Sequence, residues 1–288
     1  MFLILISTIG ILLVTCIIKQ NKNRQKIKNL VAELSRAHSQ LTEQNKQKNE
    51  FLSIASHQFR TPLTAIKGYS SMLLEGSFGD MSDTVRNAVD RVYQSSEHLV
   101  SVIDDFLDVS RIELGRMQYN FSIVDFRALV LDAIATKKPS MNTSGLTFNI
   151  LIDEAGDFSA TIDSEKMQQV ILNLIENSIK YTPKGMVTIS LKRTGEQLHL
   201  TIKDTGVGVA KEEQAVLFKK FSRARGKQFA NISGSGLGLY IAKEILDEHN
   251  GTIWVESEGV GLGSAFHLEI PHGKNQKLLD KNKKYPAI

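Results

Sequence analysis

Residues 54–69 read IASHQFRTPLTAIKGY. Phe51, Ala55, Phe59, Leu63, Ile66 and Leu73 pass through this stretch at steps of three, four and seven, the spacing of one face of an α-helix. Pro62 sits inside that pattern. Its ring presses on the carbonyl of residue i−4, here Gln58, and removes a backbone hydrogen bond, so the helix is expected to bend beside His57. His57 lies two residues from both Ala55 and Phe59, about 200° of helical rotation from each, which turns its imidazole away from the apolar stripe. Bend and orientation together present one nucleophilic side chain on a stiff rod. Taken alone, a surface histidine near an unrelated kink reads the same way.

Upstream, Ile27, Leu30, Leu34, Ala37 and Leu41 also step by three and four, and Gln44, Lys48 and Phe51 keep the phase. This imperfect heptad run predicts a parallel dimeric coiled coil over residues 19–47, with a single amphipathic helix on a surface as the alternative. Further upstream, residues 2–18 carry no charge. At 1.5 Å per residue they span roughly 26 Å, enough for a bilayer core. A cleaved signal peptide fits less well, because no basic segment precedes the run and no small-residue cleavage site ends it. Lys19, Lys22, Arg24, Lys26 and Lys28 follow immediately, which places that side of a single-pass bacterial cell-membrane anchor in the cytoplasm. These five cations suit an anionic inner leaflet, and equally a solvated charge run. The segment also reads as the last span of a longer parent chain.

Charge is unevenly spread. The basic run contributes +5 and the segment from Lys274 onward +4, so the overall +4 leaves −5 for the rest, which argues against a nucleic-acid surface on the folded part. The one cysteine, Cys16, excludes an intrachain disulfide.

Downstream, Gly76 and Gly79 break the helix, and Val85, Val89, Val92, Ser96, Leu99, Ile103 and Phe106 mark a second amphipathic one. A hairpin of two such helices over residues 48–115 buries little alone, so a dimeric four-helix bundle is expected. From about Tyr119 the texture changes. The strand signals LTFNILI, FSATI, MVTISLK, QLHLTIK, GTIWVES and SAFHLEI alternate with helical stretches near 125–138, 164–181 and 236–249, a mixed α/β domain over 119–272 followed by a lysine-rich tail, 273–288.

Within that domain Asn173, Asn177 and Lys180 fall at i, i+4 and i+7 on one helix face, leaving Ile171, Leu174 and Ile175 for the core side. Leu198, Leu200 and Ile202 alternate with polar residues, and Asp204 continues their inward parity. A buried carboxylate there needs donors. Residues 209–235 form a long connection with a short helix expected around 216–221, the length of a functional lid. Gly234, Gly236 and Gly238 open the next helix, whose free N–H groups and dipole suit phosphate. A dinucleotide fingerprint fails on context, since a polar connection rather than a strand precedes these glycines.

SHQFRTPLTAIKGY resembles the H-box of sensor histidine kinases, LNLIENSIKYT their N-box, DTGVGV the first glycine box, LFKKFSR the phenylalanine box, and GSGLGLYIAKEI the second glycine box. All five occur in the family's order and spacing, over roughly residues 45–272. The resemblance implies that the helical hairpin is followed by a Bergerat-type α/β sandwich that binds ATP; with the transmembrane helix and coiled coil read above, the expected architecture is α plus α/β. The resemblance further implies Asn177 as ligand of Mg²⁺ with Asn173 beside it, Lys180 near the phosphates, Tyr181 on the adenine side, and Asp204 accepting from the adenine 6-amino group. Gly206 and Gly208 would let the backbone approach the nucleotide, and Arg223 would lie near the γ-phosphate. His57 would take the γ-phosphoryl group and pass it to an aspartate of a response-regulator receiver domain on another chain, residues 273–288 being too few to form one.

Gln58 departs from the family pattern, where an acidic residue often follows the histidine. A glutamine can orient an imidazole but cannot act as a carboxylate base. Thr61 matches a position used to place water when the regulator is dephosphorylated, though it also reads as an ordinary helix threonine before a proline. Two other classes stay open at this point. One is a non-catalytic ATP-binding dimer, which Gln58 favours; the other is a Bergerat-type ATPase or serine kinase, which the hairpin carrying His57 disfavours.

Overall fold

The computed structural model describes the backbone of residues 2–153, 155–222 and 234–282, and the side chains of these except 2–18, 21, 48–53 and 57. The imidazole of His57, the side chains of the apolar run 2–18, and Arg223 therefore lie outside the described residues. Helix α1 is Phe2–Leu74 and remains helical through Pro62. The chain divides within α1 into two units, Met1–Phe59 and Arg60–Ile288.

In the first unit α1 carries Ile27, Leu30, Val31, Leu34 and Leu41, each more than half exposed. The stripe patterned for burial faces water in the single chain. Among the described residues, no helix is long and apolar enough to cross a membrane.

In the second unit, the end of α1 and α2 (Asp83–Glu113) are joined by a turn in which Gly76 and Gly79 take φ +82° and +100°. Charged side chains bridge the two helices: Arg60 to Asp104, Lys67 to Glu97 at 2.7 Å, and Arg86 Nη1 to the Leu74 carbonyl at 2.9 Å. The first two pairs are more than 40% exposed on both sides, so each adds little stability. Val85, Val92, Leu99 and Phe106 lie exposed on α2 at seven-residue intervals, a second unfilled seam.

The remainder is a two-layer sandwich. Its elements are β1 (Ser122–Asp125), α3 (Phe126–Thr143), β2 (Thr147–Ile152), β3 (Ser159–Ile162), α4 (Ser164–Lys180), β4 (Met186–Thr194), β5 (Gln197–Asp204), α5 (Lys211–Gln214), α6 (Gly238–Glu248), β6 (Thr252–Glu256), β7 (Ser264–Pro271) and α7 (Gln276–Lys281). The main sheet has the order β2-β4-β5-β7-β6, with β2 and β4 parallel and the other neighbours antiparallel. Strict alternation puts Val187, Ile189 and Leu191 of β4, Leu198, Leu200 and Ile202 of β5, and Phe266, Leu268 and Ile270 of β7 against the buried faces of α3, α4 and α6. Burying each such side chain contributes about 1.5–3 kcal/mol. Asp125 and Asp163 cap α3 and α4 with their carboxylates, which aims both helices onto the sheet.

Four features differ from the sequence reading. Strand β1 pairs antiparallel with β3, a four-residue element too short to show a period. Helix α3 runs past Pro139 to Thr143. The short helix of the long connection is Lys211–Gln214, ahead of the expected 216–221, because Glu212 and Glu213 favour its first turn. The segment after Pro271 is not merely a tail. Ala160 bridges Gly273, Asn275 caps α7, and Leu278 is only 2% exposed. Asn282 exchanges hydrogen bonds with the Phe121 backbone at 2.9 and 2.7 Å.

Candidate functional site

Helix α4 is amphipathic, with Met167, Val170, Ile171, Leu174 and Ile175 buried on the sheet side. Its opposite face brings Asn173, Asn177 and Lys180 into one cavity of about 1080 Å³, open mouth included. Asn177 Nδ2 donates to Asn173 Oδ1 at 3.5 Å, while Asn173 Nδ2 is buried without a hydrogen-bond partner among the described residues. Lys180 Nζ lies 5.5 Å from the centroid of the Tyr181 ring, which also lines the cavity.

The end of β5 supplies Asp204, 2% exposed. Its Oδ1 accepts from the backbone N–H of Gly206 at 2.8 Å and of Ser264 at 3.3 Å, and its Oδ2 accepts from Ser264 Oγ at 2.5 Å. Burial pushes this carboxyl above the usual carboxylate range, and the hydrogen-bond donors around it pull it back down. The Thr182 hydroxyl is buried beside it.

The glycine loop ahead of α6 closes another wall with Gly234, Ser235, Gly236 and Gly238. A Cβ on Gly238 would sit 2.5 Å from Asn173 Oδ1, so a larger residue there would have to displace the Asn173 amide. Gly208 lines the cavity, but Gly206 serves a different purpose from the one expected. A Cβ there would meet the Tyr181 carbonyl at 2.1 Å, so its bareness lets the loop after β5 pack on the end of α4. Val207 N–H donates to that same carbonyl at 3.0 Å.

Several lining residues escaped the sequence reading. His98, Ser101, Val102 and Asp105 project from one face of α2, and Ser264 and Phe266 come from β7. Asp105 Oδ2 accepts from Ser235 Oγ at 2.6 Å, tying α2 to the glycine loop. Burial raises its affinity for a proton, as do Asp108, Asp104 and Glu176 nearby. Asp108 accepts from Gln169 Nε2 of α4 at 3.0 Å, and Lys220 pairs with Glu113 at 2.5 Å. The helical spacing of 98, 101, 102 and 105 was the available signal, but nothing local says what that face meets. Gln58 and Thr61 are exposed on α1, on either side of the division at Phe59.

Among the described residues, the buried Asn173 amide nitrogen that lines the cavity has no hydrogen-bond partner, and the Asp204 carboxylate lines it too. A purine with phosphates can supply partners for both. Amide oxygens beside phosphate oxygens also form the hard donor set that Mg²⁺ takes, so the residues present fit the ion.

Fold and site thus define a nucleotide-binding α/β sandwich attached to a helical hairpin. Residues 162–274 match the histidine kinase-, DNA gyrase B- and HSP90-like ATPase family, and residues 47–115 match the His Kinase A phospho-acceptor domain. The non-motile and phage-resistance protein of Caulobacter vibrioides is 32% identical over 280 residues, covering 90% of this chain and 33% of that protein. The circadian input-output histidine kinase CikA of Synechococcus elongatus is 33% identical over 247 residues, covering 85% of this chain and 32% of its own. The chain therefore spans about a third of the length of these curated relatives. A crystal structure of ShkA in complex with AMPPNP superposes with a TM-score of 0.62 at 25% identity, over 78% of this chain and 46% of that one. The chain belongs to the histidine kinases that carry a phospho-acceptor domain followed by this ATPase domain.

Proposed function

We propose that the protein is a sensor histidine kinase that phosphorylates itself on His57 from Mg-ATP and passes the phosphoryl group to a response-regulator aspartate. One observation carries the reading: Asn173, Asn177, Lys180, Asp204 and the glycine loop converge on one cavity, in a chain whose phospho-acceptor match contains His57.

Asp204 accepts from the exocyclic amine of the base and Tyr181 covers it. Lys180 and the N–H groups of the glycine loop take the phosphates. Asn177, with Asn173 beside it, would hold Mg²⁺, and the ion would supply positive charge to offset that of the phosphate oxygens. A neutral imidazole nitrogen of His57 attacks the γ-phosphorus, the bond to the bridging oxygen of ADP breaks, and the ring loses its N–H proton. Neutral imidazole is abundant for this purpose because its reference pKa is about 6.5. Gln58 orients the ring but, having no carboxylate, does not itself take the proton. Thr61 positions water when the enzyme dephosphorylates its regulator, and Arg223 stands by the γ-phosphate.

The exposed stripes of α1 and α2 are the seams of a homodimer, as a coiled coil and then a four-helix bundle. Residues 2–18 anchor the dimer in a bacterial cell membrane, with the catalytic domains on the cytoplasmic side. The test is to incubate the full chain with Mg²⁺ and γ-labelled ATP. Label that is acid-labile, base-stable and lost in His57→Gln is the expected result. Acid-stable label, or label that persists in that variant, overturns the assignment.

A further inference from the structure

The sheet face opposite the helices carries a polar cluster that the nucleotide site does not use. His199 and Thr201 sit on β5, and His267 on β7 lies across from Thr201. Trp254 of β6 pairs with His267 and lies flat on it, ring centroids 4.9 Å apart and planes 9° from parallel. Its centroid is also 5.5 Å from that of His199. His199 Nε2 and His267 Nδ1 are 3.1 Å apart, and Thr201 Oγ1 is 3.3 and 3.2 Å from those two nitrogens. The other nitrogen of each ring faces a carboxylate, His199 Nδ1 toward Glu269 at 3.8 Å and His267 Nε2 toward Glu256 at 3.6 Å. His267 Nε2 is buried and has no hydrogen-bond partner among the described residues.

Two neutral imidazoles bring two N–H protons to three links: Glu269 to His199, His199 to His267, and His267 to Glu256. When both N–H groups face the carboxylates, His199 Nε2 and His267 Nδ1 are both left as lone pairs beside the Thr201 hydroxyl. A divalent cation between the facing nitrogens can accept both lone pairs. Each ring keeps one N–H, aimed at its own carboxylate, no proton is displaced, and Glu256 and Glu269 offset the charge.

We propose that His199 Nε2, His267 Nδ1 and Thr201 Oγ1 form one face of a binding site for a divalent transition-metal ion of the zinc, nickel or copper class. Donors about 2.1 Å from a common ion and about 95–105° apart are about 3.1–3.3 Å from one another, the triangle these three atoms already make. A carboxylate lies behind each imidazole, and its charge favours the tautomer whose N–H faces it and whose lone pair faces the ion. Among the described residues, no group of three or more His, Cys, Asp or Glu side chains is arranged to hold a metal, so water completes the ligand set. Imidazole selects these ions over Mg²⁺, which keeps the site chemically separate from the nucleotide cavity.

The test uses the full chain without nucleotide, titrated with Zn²⁺ by calorimetry, and with Cu²⁺ while the histidine ring protons are followed by NMR. Zn²⁺ affinity is expected to fall by about tenfold or more in His199→Gln and in His267→Gln, and excess Mg²⁺ is expected not to compete. Equimolar Cu²⁺ should broaden the ring signals of His199 and His267 before those of the other histidines. The NMR readout needs no variant, so it decides the matter even if either substitution unfolds the sheet. Equal Zn²⁺ binding in wild type and both variants, or broadening of other histidines first, means adventitious binding elsewhere and overturns the site.

Discussion

Asp204→Asn separates nucleotide recognition from folding. Both backbone donors to this residue, Gly206 N–H and Ser264 N–H, reach Oδ1, whereas Oδ2 receives the Ser264 hydroxyl. An asparagine that keeps its carbonyl oxygen at the Oδ1 position retains both backbone hydrogen bonds. Its amide replaces Oδ2, and the Ser264 hydroxyl can rotate from donor to acceptor. The folding cost is then that of one altered hydrogen bond, about 0.5–1.5 kcal/mol. Nucleotide binding loses more. The remaining acceptor capacity of a buried carboxylate is replaced by a donor, facing what we propose is the exocyclic amine of the base. Hydrogen bonds to charged groups contribute about 1.5–3 kcal/mol, so the Kd for ATP should rise about 10- to 150-fold. Calorimetric titration with a non-hydrolysable ATP analogue gives the affinity, and urea unfolding of the same preparation gives the stability. A change in Kd of less than about threefold in a variant that unfolds like wild type would refute the placement of the base at Asp204.

Asp105→Asn removes a negative charge from the wall of the cavity while leaving an acceptor for Ser235. ATP affinity should rise about three- to tenfold at low ionic strength, an advantage that salt erodes; unchanged affinity at low salt counts against phosphates near α2. His249 accepts from Asp163 N–H at 2.9 Å, pairs with the Ile245 carbonyl at 2.7 Å, and is held below its usual pKa mainly by burial. Between that lowered value and the ordinary 6.5 or so, the unfolded chain binds more protons than the folded one. Stability from this group is therefore complete above about pH 6.5 and is lost as pH falls through the folded pKa, with a slope of at most about 1.4 kcal/mol per pH unit. Denaturant melts across that range should show a shallower slope in His249→Gln, and parallel slopes would contradict the reading. Leu278→Ala empties a site on α7 that is 2% exposed and should destabilise the ATPase domain by about 2–5 kcal/mol in urea unfolding. A negligible loss would show α7 to be dispensable.

The signals that repeat locally were open to reading from the chain alone. Strands β4, β5 and β7 alternate with a period of two because one face packs on helices and the other does not, and Asp204 was placed inward by that parity. The polar stripe of α4 put Asn173, Asn177 and Lys180 together because residues three and four apart share a helix face. What only the tertiary structure decided is which distant elements meet. Ser264 reaches Asp204 across 60 residues, Asp105 of α2 reaches Ser235 across 130, and α7 docks where its basic composition suggested a tail. His199 and His267 become neighbours only through the pairing of β5 with β7. Periodicity reports which face of an element avoids water. It carries no information on what that face touches, because strand register and helix docking are set by the packing of the whole core.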